Sequence, residues 1–349
     1  MIPADLSRTV VRAVRCAVED GELPARAGVP ERVVVERTRP GGVGDYATPV
    51  AFQIAKSAGR PPLDVAGVLA RRLGAVAGIE RVEVTGPGFL NFVMDPVSVD
   101  ALVREVQARG RRYGFSATAS VGIGVSIGSS SSSSSSASSG SGGLRARVVE
   151  EALLRIRATQ GTGTGMGTGM GADAAAAVAA AAPHTAPVAK RDGDVVRLYG
   201  EDAARWAMLC VAPHECPSFS ARLLVQDESS EFFRVRYAHA RSRALVRNAA
   251  RLGFGSGPGE VPDGGPLAQV LADYPLVLEA AAHRAAPEQV VRFLVRAADE
   301  LLDFHYRVLP KGDEKPSAAH RARLALAEAA GTVLAGGLDL LGIAAPDCL

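Results

Sequence analysis

The sequence predicts an α+β domain joined through a low-complexity stretch to an all-α helical bundle. Three observations carry that expectation. Residues 1–113 mix helical and strand patterns, residues 114–186 are dominated by serine, glycine and alanine, and residues 187–349 keep helical periodicity almost throughout.

In the first stretch, Leu6, Val10, Val14 and Val18 recur every four residues, which places them along one face of a helix. Val33, Val34 and Val35 then read as a short strand. GDYATPVAFQIAKSAGRPPLDVAGVLARRLGAV holds two helical patterns separated by a Gly-Arg-Pro-Pro break. IERVEVTGPGFLNFVMD alternates β-branched and apolar residues on both sides of a Gly-Pro-Gly turn, the pattern of a hairpin or a bent strand. Asp95-Pro96 suits a helix start before VSVDALVREVQARG.

The middle is different in kind. A strand-like VGIGVSI precedes eight consecutive serines, a short helix pattern Leu144–Ile156, and then GTGTGMGTGMGADAAAAVAAAAP. Gly/Ser tracts read as flexible coil, because no apolar burial offsets the entropy of ordering them. The glycine repeats are not a phosphate loop, lacking a preceding strand and a Gly-Lys-Ser/Thr ending. Beyond them, Glu201–Val211, Ser229–Leu252, Pro266–Glu279, Pro287–Tyr306 and Ala318–Leu341 predict helices joined by short connections.

Length and composition bound the function. With 349 residues, 47% hydrophobic but only 5% aromatic, the chain suits alanine-rich helical packing. A net charge of +2 predicts no partner by itself, so charge is read locally. Cys16, Cys210, Cys216 and Cys348 are too scattered for a disulfide framework, which points to a reducing cytoplasm. The amino terminus has no signal-peptide core, and no run reaches the ~18–20 strongly apolar residues of a membrane span. In CVAPHEC, Cys210, His214 and Cys216 offer three ligands where a structural zinc site takes four, so no metal is expected.

Three strings, in order, resemble those of arginyl-tRNA synthetases: GDYATPVAFQIAK with TGPGFLNF behind it, FFRVRYAHARSRALVRNA, and ARLALAEAAGTVLAGGLDLLGIAAPDCL, whose last two residues depart from the usual ending. The resemblance implies an N-terminal domain that lies against the tRNA elbow and a DALR-type anticodon-binding bundle, and it covers roughly two thirds of the chain. The centre departs from the family. Its ATP-binding His-x-Gly-His signature is followed by Leu-Arg and a helix. Leu144, Arg145 and the helix remain, but Gly140 and Gly143 stand where the resemblance implies histidines. The Lys-Met-Ser-Lys-Arg loop survives only as PVAKR, with Pro187 for its first lysine and Lys190 and Arg191 kept.

Activating an amino acid with ATP builds charge on the transferring phosphate, and each lost donor there typically costs ~3–4 kcal/mol. The span between Arg145 and Pro187 is also too short and too poor in strand patterns for a nucleotide-binding sheet, of which a single βαβ unit takes ~30 residues. The reading is therefore a remnant without catalytic residues.

The candidate contacts are tRNA contacts. Between Ser230 and Phe254 six arginines face one acid, Glu231, and Arg236, Arg243, Arg247 and Arg251 share a narrow helical stripe. Such a stripe is either a solvated face or a phosphate-binding one; beside Tyr237 and Arg241 it suits RNA, whose loop bases stack on aromatics and guanidinium planes. His239 reads as a packed side chain or a contact. Phe89 and Asn91 alternate with Leu90 and Phe92, so they are expected on the outer face of the hairpin, free to stack on and bond an unpaired base. Tyr306 is a candidate for anticodon reading.

These readings predict a catalytically inactive relative that binds tRNA, specifically an arginine tRNA, without a cofactor and without membrane or DNA. One alternative is an arginine–tRNA ligase using ATP and arginine; another is an interaction subunit docking on a full-length aminoacyl-tRNA synthetase or a tRNA-using enzyme.

Overall fold

The structure, a computed structural model, describes residues 3, 5–39, 41–116, 119, 142–161 and 183–349. It divides into two compact units, Met1–Ser98 and Val99–Leu349. The strand-like VGIGVSI, the serine tract, the glycine repeats and the polyalanine lie outside the described residues.

In the first unit, helix α1 (Asp5–Glu19) buries Leu6, Val10 and Val14. A four-residue spacing drifts from the 3.6-residue turn, so by the fourth repeat Ala17 has replaced Val18 in the core. Helices α2 (Val50–Ala58) and α3 (Pro62–Leu73) follow either side of the Gly-Arg-Pro-Pro break. Four antiparallel strands, β1 (Glu36–Arg37), β2 (Tyr46–Thr48), β3 (Ile79–Thr85) and β4 (Phe89–Met94), form a sheet in the order β1-β2-β4-β3.

The expected strand at Val33–Val35 does not form; β1 starts one residue later. Hydroxyls take the place of a ladder there, with Ser7 donating to the Val33 carbonyl at 2.6 Å and Thr48 to that of Val34 at 2.7 Å. The hairpin turn forms as read. Gly88 holds φ +140° with Pro62 so close that an added Cβ would lie 3.0 Å from its backbone, so the turn requires glycine.

The second unit contains α4 (Val99–Arg109), α5 (Gly142–Ala158), the short α6 (Val195–Tyr199), α7 (Glu201–Leu209), α8 (Glu231–Arg251), α9 (Gly265–Arg284), α10 (Glu288–Phe304) and α11 (Ala318–Leu341). Helix α11 is central, packing against α4, α5, α8 and α10. Small residues permit that crowding. A Cβ on Gly331 would stand 2.2 Å from Ser242 Oγ, the hydroxyl that donates to the Ala327 carbonyl at 2.8 Å. By length and composition α11 is the one helix among the described residues able to cross a membrane, yet 83% of its apolar window is buried inside the structure.

Two sequence boundaries shift. Residues 99–113, read with the first domain, group with the second unit: Arg111 pairs with Asp339 at 2.5 Å, and buried Tyr113 donates to the Leu271 carbonyl at 3.3 Å. The Leu144–Ile156 helix, read as part of a tether, is a packed element whose Val148, Val149, Ala152, Leu153 and Ile156 are buried. Amphipathic pattern gives a helix its apolar face but not the surface that covers it.

Candidate functional site

The start of α5 meets the segment just before Pro187. Arg145 is fully buried, and its guanidinium is spent on five main-chain carbonyls: Met208 from Nε at 3.1 Å, Ala186 at 2.8 Å and Pro213 at 3.2 Å from Nη1, Glu215 also from Nη1, and Ala212 from Nη2 at 2.9 Å. Burial pushes its pKa down from the ordinary arginine value, and carbonyl dipoles take the place of a carboxylate partner. Ala186 directly precedes Pro187, which is exposed, as are Gly143 and Lys190. Gly140 lies outside the described residues. Arg145 thus ties a structural knot between α5 and the main chain of residues 186 and 208–215.

Sequence reasoning missed this role for Arg145. The signal was present, since an arginine placed among the apolar positions of an amphipathic helix has to find buried acceptors.

Helix α8 carries the arginine stripe. Ser230 caps it, accepting from the Phe233 amide at 3.3 Å, while Phe232, Val235, Ala238, Leu245 and Ala249 face the bundle. Arg243 and Arg247 are exposed, and the segment after α11 returns to them. Asp347 pairs with Arg243 at 3.2 Å, and its carbonyl accepts from Arg247 at 3.3 Å. Arg236 and Arg241 are half-buried, each with an Nε that is buried and without a hydrogen-bond partner. The Arg236 guanidinium lies 5.2 Å over the Phe232 ring, and Tyr237 stacks on Phe233 at 5.6 Å.

His239 is buried rather than presented. Its Nδ1 stands 2.9 Å from the Pro346 carbonyl, and burial holds its pKa below the ordinary histidine value. Tyr306, in the turn after α10, is exposed, with Arg307 and Lys311 at 5.4 and 5.5 Å from its ring centre. Two cations on one ring make a basic aromatic corner.

In the first unit Phe89 is exposed and packs against Phe52 at 5.0 Å, but Asn91 is not its outward neighbour. Asn91 is buried, its amide donating to Thr85 Oγ1 at 2.7 Å. Strand β4 is paired on both edges, with Asn91 opposite Ala47 and Glu83. The amide therefore braces the hairpin instead of facing solvent. Among the described residues no group of three or more His, Cys, Asp or Glu converges as a metal site; half-buried Cys210 donates to the Ala207 carbonyl at 3.3 Å, and burial pushes its pKa up.

Comparison with known proteins matches two segments of the chain. Residues 6–94 match the Arginyl tRNA synthetase N terminal domain, and residues 235–349 the DALR anticodon binding domain. Both describe pieces of one class of protein, the aminoacyl-tRNA synthetases. Through both segments the chain is related to the arginyl-tRNA synthetases. It is 47% identical over 117 residues to the arginine–tRNA ligase of Frankia alni, covering 34% of this chain and 21% of that one. To the ligase of Micrococcus luteus it is 47% identical over 121 residues, covering 34% and 22%. The chain thus matches about a fifth of the length of these relatives. The arginyl-tRNA synthetase structure of Thermus thermophilus aligns over 99% of this chain and 100% of that one, with a TM-score of 0.54 and 16% identity, a likeness of fold.

Proposed function

We propose that this protein binds tRNA without activating an amino acid: its N-terminal unit holds the tRNA elbow and its helical bundle the anticodon arm of an arginine tRNA. One observation carries the reading. The two matched domains flank residues 95–234, and among the described residues of that span there is no strand. Nucleotide-binding α/β sites sit at the carboxyl edge of a parallel sheet. Here the sheet among the described residues is antiparallel and belongs to the first unit.

Binding is expected to be micromolar and salt-sensitive, since exposed guanidiniums displace counterions from phosphates. No cofactor is required; ATP and arginine enter only if the chain is a ligase. Electrophoretic shifts at low salt test the proposal. A clear preference for tRNA over a single strand of the same length is expected, and equal affinity for the two overturns it. Sequencing the RNA that co-purifies tests the choice of an arginine tRNA.

A further inference from the structure

We propose that residues 344–348 form a strap that occupies Arg243 and Arg247 until a polyanion displaces it. As regulation of an RNA-binding face the strap rests on the tRNA-binding reading above; as a competitor for two guanidiniums it does not.

The end of α11 sets the strap in place. Gly342, at φ +71°, closes that helix in the left-handed conformation, and the Ile343 amide bonds back to the Leu338 carbonyl at 3.0 Å. Ile343 is buried and fixes the point of departure. Beyond it the chain returns across α8. The Ala344 amide donates to Asp202 Oδ1 at 3.4 Å, and His239 Nδ1 donates to the Pro346 carbonyl at 2.9 Å.

What the strap touches decides what it does. Asp347 offers a carboxylate oxygen to Arg243 Nε at 3.2 Å and its main-chain carbonyl to both terminal nitrogens of Arg247 at 3.3 Å. Cys348 Sγ accepts from Arg247 at 3.5 Å. Among the described residues, the hydrogen bonds and ion pairs of these two guanidiniums all go to Asp347 and Cys348. Forked donors take the oxygens of a phosphate in the same way. Asp347 therefore stands where an anionic ligand would.

The lock is weak by construction. The side chains of Arg243 and Asp347 are 45% and 64% exposed, and an exposed ion pair contributes little. Attachment through Ile343 keeps the strap down, because a tethered group competes at high effective concentration. A single phosphate meets that competition with one contact and loses. A polyanion engages both arginines and releases counterions as it binds. The strap thus excludes free mononucleotides and yields to a chain of phosphates or sulfates.

Fluorescence anisotropy with the full chain, labelled heparin and a labelled arginine tRNA at low salt tests the strap. Asp347→Asn leaves every residue in place and is expected to raise heparin affinity about threefold, the scale of one exposed pair. Truncation after Ala345 should raise it at least as much. In an Arg243→Gln background the gain from Asp347→Asn should vanish, as coupling between the two residues requires. No gain from Asp347→Asn, or an equal gain with and without Arg243, overturns the proposal. Hydrogen exchange gives a readout separate from affinity. The peptide covering residues 342–349 should exchange faster with heparin bound, while peptides of α8 do not; unchanged or slower exchange of the strap also overturns it. The tRNA arm keeps the two readings apart. Heparin gains without tRNA binding leave the strap and remove the tRNA reading, whereas tRNA binding with no gain in either ligand removes the strap alone.

Discussion

Arg145 Nη1 donates to the carbonyl oxygen of Ala186 at 2.8 Å, fastening the start of α5 to the residue before Pro187. Five carbonyls depend on this side chain. Arg145→Leu is expected to cost about 3–5 kcal/mol, the range for a buried charged hydrogen-bond network that loses one partner. Arg145→Lys should recover little, because an ammonium cannot span acceptors arranged for a planar fork. Urea unfolding of the full chain measures both; a loss below about 1 kcal/mol for the leucine variant would remove the knot from the account.

Gly331 tests the packing of α11 on α8. Gly331→Ala places a methyl group 2.2 Å from Ser242 Oγ and 2.8 Å from its Cβ. The expected loss is about 1–3 kcal/mol. Adding Ser242→Gly should return part of it, and a double variant no more stable than the single one contradicts the proposed clash.

The exposed arginines predict a salt signature. Arg243→Gln and Arg247→Gln should each weaken tRNA binding and lower the slope of log affinity against log salt by about 1, one phosphate contact apiece. Asp347→Asn frees Arg243 from its pair and should strengthen binding modestly. Filter binding across a salt series reads all three, and unchanged slopes would move the phosphate contacts elsewhere.

His239 predicts a pH dependence. Burial lowers its folded-state pKa below that of an ordinary histidine. Between the folded and unfolded values the unfolded chain binds more protons, so stability rises with pH there. The contribution is fully present above the unfolded value and is lost as pH falls toward the folded one. Glu288, whose pKa burial raises, works in the opposite sense, with stability lost as pH rises through the carboxylate range. Comparing melting temperatures at pH 7.5 and 5.5 for wild type and His239→Asn cancels Glu288. The wild type should lose more on acidification, and equal losses contradict the assignment.

Much of the fold was legible because periodicity reports which face of an element is apolar. Ala318–Leu341 was readable to the residue, and the Gly-Pro-Gly hairpin to its turn. What pattern does not report is the covering surface. Asn91 looks outward by alternation, yet β4 lies between two strands and its amide is taken by Thr85. Arg145 stands among the apolar positions of its helix, which marks it as buried, but the carbonyls of Ala186, Met208, Ala212, Pro213 and Glu215 that satisfy it lie too far along the chain for local spacing to name. The return of Pro346 and Asp347 to His239 and Arg243 is a contact across a hundred residues, which no local spacing encodes.

The most direct test of a tRNA-binding protein without adenylate chemistry is arginine-dependent ATP–pyrophosphate exchange in the presence of arginine tRNA. The account predicts exchange at the level of an enzyme-free control, from protein that shifts the same tRNA at low salt. Exchange that rises with protein concentration and requires arginine would show that an adenylate forms on this chain, and the account would be wrong.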